Sequence, residues 1–262
     1  MGLEIDTYIW YIYLMKEIYF LTGLPRSGNT LLGSIINQNP NLNLTANSIL
    51  TETIYQLHLL KYTNSFKNFP DYDSLDNIIK NVFNNYYKNW KAKFIIDRSV
   101  WGTPANLELL KSIIKKPKFI ILYRPVLECL ASFIKIEKPK DIRKKCHELM
   151  QEEGLVSKSL WSIKNIIKEK ENYIIIEYLN LIKNPMKEIN KIYKFLDINN
   201  FNHIFKNFND FSANNVKYQD NVLSAPFHTI RTNQIKLNKY KIEDYLPTDI
   251  IKQYSNLDIW KF

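Results

Sequence analysis

The stretch "GLPRSGNT", residues 23–30, gathers the residue types that hold an anion. Gly23 and Gly28 permit a tight backbone turn, and Ser27, Asn29 and Thr30 add hydrogen-bond donors around it. The spacing is almost that of a loop that cradles a nucleoside triphosphate. Such a loop needs a lysine after its second glycine to reach the β- and γ-phosphates, followed by a serine or threonine for magnesium. Here the lysine position is Asn29, and Arg26 stands inside the loop instead. A guanidinium there forks onto a single terminal anionic group. The plainer alternative is a strand-to-helix turn with a surface arginine. The order strand, loop, amphipathic helix favours the anion cradle.

A second candidate lies in "ILYRPVLECLASFIK", where Arg124 ends an apolar run and Ser132 follows eight residues on. Eight residues are a little over two helical turns, so the two side chains converge only if the chain turns between them. Asp97 and Arg98 end another apolar run, and Tyr178 a further one.

Four short apolar runs must position these groups: "IYFLTG" (18–23), "KFIID" (93–97), "KFIILY" (118–123) and "NYIIIEY" (172–178). Continuous apolarity over five or six residues predicts strands buried on both faces, as in a parallel sheet. Segments with helical spacing lie between them, and Pro104, Pro125 and Pro185 fall near helix starts, where a missing N–H costs nothing. Segments 45–91 and 140–171 read as additional helices, and the pattern weakens to loop and short helix after about residue 199. Alternating strands and helices predict one α/β domain over residues 1–262, an open, mainly parallel sheet flanked by helices. Ligands in such sheets bind beyond the carboxyl ends of the strands, where Arg26, Arg98, Arg124 and Tyr178 fall.

The 262 residues suffice for one sizeable core. The net charge of +10 suits an anionic partner. Its lysines are spread along many helices, and a nucleic-acid-binding module would instead interleave basic and aromatic residues on one surface. Two cysteines make no disulfide framework, which points to a reducing, cytoplasmic setting. The apolar patch at residues 8–14 is too short to span a bilayer. "MKEIYFLTG" from Met15 would itself be a natural start, so residues 1–14 are expected to be dispensable for the core. The sequence is silent on oligomeric state.

Taken together, "YFLTGLPRSGNTLLGSIINQNP", "FIIDRSVWGTPANLELLKSIIKKPKFIILYRPVLECLASF" and "EYLNLIKNPMKEINKIYKFL" resemble the sulfotransferase family over about residues 17–197. "FHTIRTNQIKL" (227–237) resembles the late loop of a bacterial branch of that family. The resemblance implies a P-loop-kinase-like fold. It also implies 3′-phosphoadenosine 5′-phosphosulfate (PAPS) as donor, 3′,5′-ADP as product, a hydroxyl or amine acceptor and no metal. Arg26, Ser27, Gly28, Asn29 and Thr30 would hold the phosphosulfate, Arg124 and Ser132 the 3′-phosphate, and Tyr178 the nucleotide. Arg98 would stand at the leaving-group oxygen or the sulfonate, and Arg231 would close over the phosphates.

Pro125 follows Arg124 where the family usually has an acidic residue, and "YLN" replaces "YED" at Tyr178. Some relatives place a glutamate base about twenty residues beyond the loop arginine, where this chain reads "TANSIL". Three candidates remain for the base: Asp97, which is preferred for its place beside Arg98, then Glu52 and His228. The rival enzyme reading is a nucleotide kinase, with "FIID" as a magnesium-binding strand. The missing lysine, Arg98 beside the would-be metal ligand and the Arg124/Ser132 pair speak against it.

Overall fold

A computed structural model describes residues 16–230, 234–236 and 241–260. The expectations for residues 1–14 and for Arg231 lie outside the described residues.

Four strands form where continuous apolar runs predict them: β1 (Glu17–Gly23), β3 (Phe94–Arg98), β4 (Lys118–Tyr123) and β5 (Asn172–Glu177). A further strand, β2 (Leu42–Asn47), lies outside the four predicted runs, and its last three residues overlap the start of the stretch 45–91 read as helical. Its sequence "LNLTAN" alternates apolar and polar residues, because it is an edge strand that needs burial mainly on one side. The strands pair in parallel in the order β2-β3-β1-β4-β5. The chain therefore leaves β1 toward one edge and returns past it to the other, so a crevice opens at the carboxyl ends near β1 and β4.

Helix α1 (Asn29–Ile36) follows β1. Between β2 and β3 come α2 (Leu50–Leu59), α3 (Asn64–Asn68), α4 (Tyr72–Lys80) and α5 (Val82–Tyr87). Helix α6 (Pro104–Ile113) links β3 to β4, and α7 (Val126–Glu137), α8 (Ile142–Met150) and α9 (Leu155–Lys168) lie between β4 and β5. Helices α10 (Tyr178–Lys183) and α11 (Pro185–Leu196) follow β5, and α12 (Thr248–Tyr254) stands near the C-terminus. Pro104 and Pro185 open their helices and Pro125 caps α7, where a proline ring is pre-set for helix entry.

Side-chain alternation divides the core into two layers. Phe20, Ile95, Phe119 and Ile121 face a large cluster built with α2 and α4–α9, while Tyr19, Leu21, Ile96, Ile120 and Leu122 face α1 and α11. The C-terminal segment joins both layers. Phe211 packs in a notch at Gly33 of α1, where an added Cβ would meet its ring at 2.5 Å. Leu246, Ile250 and Ile259 enter the opposite cluster. Between these anchors, Tyr218, Phe227 and His228 come against residues at the carboxyl ends of β1, β3 and β4.

Candidate active site

The loop after β1 closes on itself before it offers anything to a ligand. Ser27 Oγ donates to the Leu24 carbonyl at 2.6 Å, and Asn29 Nδ2 donates to the same carbonyl at 2.9 Å. Asn29, in the place of a phosphate-reaching lysine, thus turns inward and braces the loop. Gly28 caps α1 at φ 95°, a left-handed conformation costly for residues with a Cβ. A Cβ there would also meet the Tyr178 ring at 2.8 Å. No side chain caps α1 and no acidic residue stands in its first turn, so the orphan N–H groups and the positive end of the helix dipole face the crevice.

Arg26 also adopts a left-handed conformation, φ 67°. Its Nε donates to Ser132 Oγ at 3.3 Å, and Nη1 donates to the Phe227 carbonyl. Arg124 is buried; its Nη1 donates to the Arg26 carbonyl at 3.0 Å, and its Nε donates to Glu128 at 2.9 Å. The Arg124 guanidinium lies 4.5 Å from the centre of the Tyr178 ring, a cation–π contact that fixes its plane. Arg124 and Ser132 thus both bond Arg26, Arg124 at its backbone carbonyl and Ser132 at its side chain.

Arg98 enters from β3, and its Nη1 donates to the Tyr218 hydroxyl at 3.3 Å. One cavity of about 560 Å³ is lined by Arg26, Gly28, Asn29, Thr30, Arg98, Arg124, Ser132 and Tyr178. That is the size range of small-molecule sites, roughly 300–1,000 Å³. Ser27 is fully buried behind the loop. The cavity also takes in Phe227 and His228 from the C-terminal segment. Tyr218 and His228 form a stack that Asp220 braces, and nothing in the sequence pattern had singled out Asp220.

Asp97, the preferred base on sequence grounds, does not line this cavity. Its carboxylate is buried among Ser48, Trp101 and Tyr87: Ser48 Oγ donates at 2.9 Å, Trp101 Nε1 at 2.8 Å, and the Tyr87 hydroxyl to the other oxygen. Burial pushes its pKa up to about 6 even though all three donors favour the charged form. The reason for its absence from the site is the pleat. Consecutive residues of β3 face opposite sides of the sheet, so when Arg98 reaches the cavity Asp97 points into the other layer. Glu52 is exposed on α2 and does not line the cavity either.

The sulfotransferase family model matches residues 19–203, most of the chain, including every one of these strand ends. The chain belongs to the sulfotransferase family. Among solved structures, a mouse sulfotransferase complexed with PAP is 14% identical, over 92% of this chain and 82% of its own, with a TM-score of 0.50. A sulfotransferase domain from the curacin biosynthetic pathway is 20% identical, over 72% of this chain and 76% of its own, with a TM-score of 0.47. A sulfotransferase from Alicyclobacillus acidocaldarius is 12% identical, over 70% and 81%, with a TM-score of 0.49. No curated protein matches the sequence. In this sulfotransferase no group of three or more His, Cys, Asp or Glu residues able to hold a metal occurs among the described residues. No helix among them is long and apolar enough to cross a membrane.

Proposed function

We propose that the chain is a single-domain sulfotransferase that takes its sulfuryl group from PAPS and delivers it to a hydroxyl or amine. The observation that carries this reading is the meeting of Arg26, Arg124 and Ser132 at the open N-terminus of α1, with Asn29 turned inward. PAPS carries two separate anionic ends, a 5′-phosphosulfate and a 3′-phosphate, and supplies an activated sulfonate whose departure leaves 3′,5′-ADP. The residues fit such a group. The first turn of α1 offers N–H donors that no side chain caps, and Arg124 and Ser132 line the same cavity as a second place for an anion.

In this reading Thr30 and the N–H groups of the loop hold the 5′ end, with Gly28 and Asn29 shaping the turn. Arg124 and Ser132 hold the 3′-phosphate. Tyr178 keeps the Arg124 guanidinium flat. Arg98 and Arg26 meet the negative charge that grows on the bridging oxygen, which preorganised cations stabilise without reorganising. Ser132 Oγ accepts from Arg26 and keeps its own O–H to donate to the 3′-phosphate, so one hydroxyl couples donor binding to the placement of Arg26.

The test is thermal stabilisation by nucleotides without divalent metal. 3′,5′-ADP should raise Tm far more than 5′-AMP, and ATP with magnesium should raise it less than 3′,5′-ADP. Arg124→Ala should cost about 1.5–3 kcal/mol of 3′,5′-ADP binding, the loss of a charge-assisted hydrogen bond, or about ten- to a hundredfold in Kd. Equal shifts for 3′,5′-ADP and 5′-AMP would contradict the donor assignment. An acceptor screen with labelled PAPS then identifies the second substrate.

A further inference from the structure

Arg26, Arg98 and Arg124 make the cavity rich in positive charge, and a transfer also needs a group that removes a proton from the acceptor. Glu137 reaches the cavity wall, but Lys145 holds its carboxylate at 2.6 Å. The chain that roofs the cavity offers a better candidate. His228 lies flat on Tyr218, with ring centres 3.6 Å apart and planes 2° apart. Its Nδ1 is 2.5 Å from one Asp220 oxygen, and its backbone N–H donates to the other at 2.9 Å. A carboxylate only accepts, so Nδ1 carries the hydrogen and Nε2 is left with its lone pair.

The ring is held by Asp220 at Nδ1 and by Tyr218 against its face. Tyr218, against its face, bonds Arg98 through its hydroxyl and packs on Phe211 at 4.8 Å, and Phe211 sits in the Gly33 notch of α1. The charged groups that act on the imidazole are Asp220 on its own segment, Arg98 from β3 and Arg26 from the loop after β1. Burial, with the two arginines, holds the imidazole below its usual range against the opposing pull of Asp220. On Asp220, burial pushes upward but the two hydrogen bonds from His228 and the positive charges outweigh it, so its carboxyl sits below the usual range and stays ionised.

We propose that His228 is the general base of the transfer and that Asp220 positions it. This rests on the sulfotransferase reading above. His228 Nε2 takes the proton of the acceptor O–H or N–H as that oxygen or nitrogen forms its bond to sulfur. The bond from sulfur to the bridging phosphate oxygen breaks, and its electron pair leaves with 3′,5′-ADP. The imidazolium that results is stabilised by Asp220, which keeps its charge and receives no proton. No oxidant or further reactant is needed. The region about twenty residues beyond Arg26 offers no carboxylate for this task, and Asp97 faces the other layer.

The test has three arms on the full chain. In imidazole-edited NMR, one of the four histidines should show a neutral Nδ1–H tautomer at pH 7, lost in His228→Gln and shifted in Asp220→Asn. 3′,5′-ADP should bind His228→Ala within about twofold of wild type. Slow hydrolysis of radiolabelled PAPS, with water as the acceptor, should fall about a hundredfold or more in His228→Ala, the scale of a positioned base, and recover in part with added imidazole. The wild-type rate should decline as pH falls through an apparent pKa below the ordinary 6.5 of histidine, because only the neutral ring accepts the proton. Asp220→Asn should move that limb lower still. A full-rate His228→Ala that binds 3′,5′-ADP normally overturns the dyad alone. Failure of wild type to bind 3′,5′-ADP overturns the donor reading on which the dyad rests.

Discussion

Asp97 is a carboxylate buried among three hydrogen-bond donors, Ser48, Trp101 and Tyr87. It adjoins Arg98 in sequence, yet the two point to opposite faces of β3, and Asp97 shares its face with Ile95 and Arg98 with Ile96. The alternation was available in "FIIDR"; what the sequence hid was which face lies toward the cavity. That Arg124 and Tyr178 line the cavity was legible because they follow strand ends, where ligands bind in such sheets, whereas Ser132, inside α7, came from its spacing to Arg124 and the family resemblance. Asp220 was not legible, since it lies in a loop whose fold depends on tertiary packing. The buried carboxylate has a measurable consequence. Its folded pKa is about 6 against 3.8 for the ordinary group, so between these values the native state binds a proton that the unfolded state does not. The stability that this proton contributes is present below pH 3.8 and lost as pH rises through about 6. Asp97→Asn should remove that component of the slope. Chemical denaturation of both proteins at several pH values between 4 and 7 measures it, and identical slopes would show that Asp97 does not titrate there.

Among the elements, the apolar strands and the proline-led helices follow from local sequence, and β2 does not. It alternates "LNLTAN" in a stretch too short and too polar to stand out, and it becomes a strand only because β3 supplies a partner. The β1–α1 junction is the opposite case, a local conformation with a tertiary lock. Gly28 needs its left-handed φ for the turn, and it needs its missing Cβ because the Tyr178 ring at the start of α10 comes against it. Gly28→Ala thus meets two penalties, backbone strain of order 1 kcal/mol or more and displacement of a ring that also supports Arg124. We expect 3′,5′-ADP affinity to fall at least tenfold, with a smaller loss of thermal stability. Tyr178→Leu in the same background should recover part of the affinity by relieving the contact. Isothermal titration on the single and double variants measures both effects; a Gly28→Ala protein with wild-type affinity would mean that the loop tolerates a shifted backbone.

At the scale of the whole molecule, the C-terminal segment ties the two faces of the sheet together across the site. It is anchored by Phe211 in the α1 notch on one side and by Leu246, Ile250 and Ile259 in the large cluster on the other. Among the described residues of the span between them, Phe227 meets Phe133 of α7 edge-on at 5.6 Å, lies 5.8 Å under the Arg26 guanidinium, and accepts the Arg26 hydrogen bond through its carbonyl. Local stability follows local burial, so this span should open without the sheet unfolding. Phe227→Ala keeps the backbone carbonyl but removes both ring contacts. Hydrogen exchange in residues 218–230 should then quicken by about tenfold, the effect of losing roughly 1.4 kcal/mol of local stability, while amides of β1, β3 and β4 keep their protection. In wild type, 3′,5′-ADP should slow exchange in the same span, because donor binding orders Arg26 and Arg26 holds Phe227. Exchange that quickens equally in the sheet would mean that Phe227 supports the global fold, and exchange that stays unchanged would mean that the span is held at its ends alone.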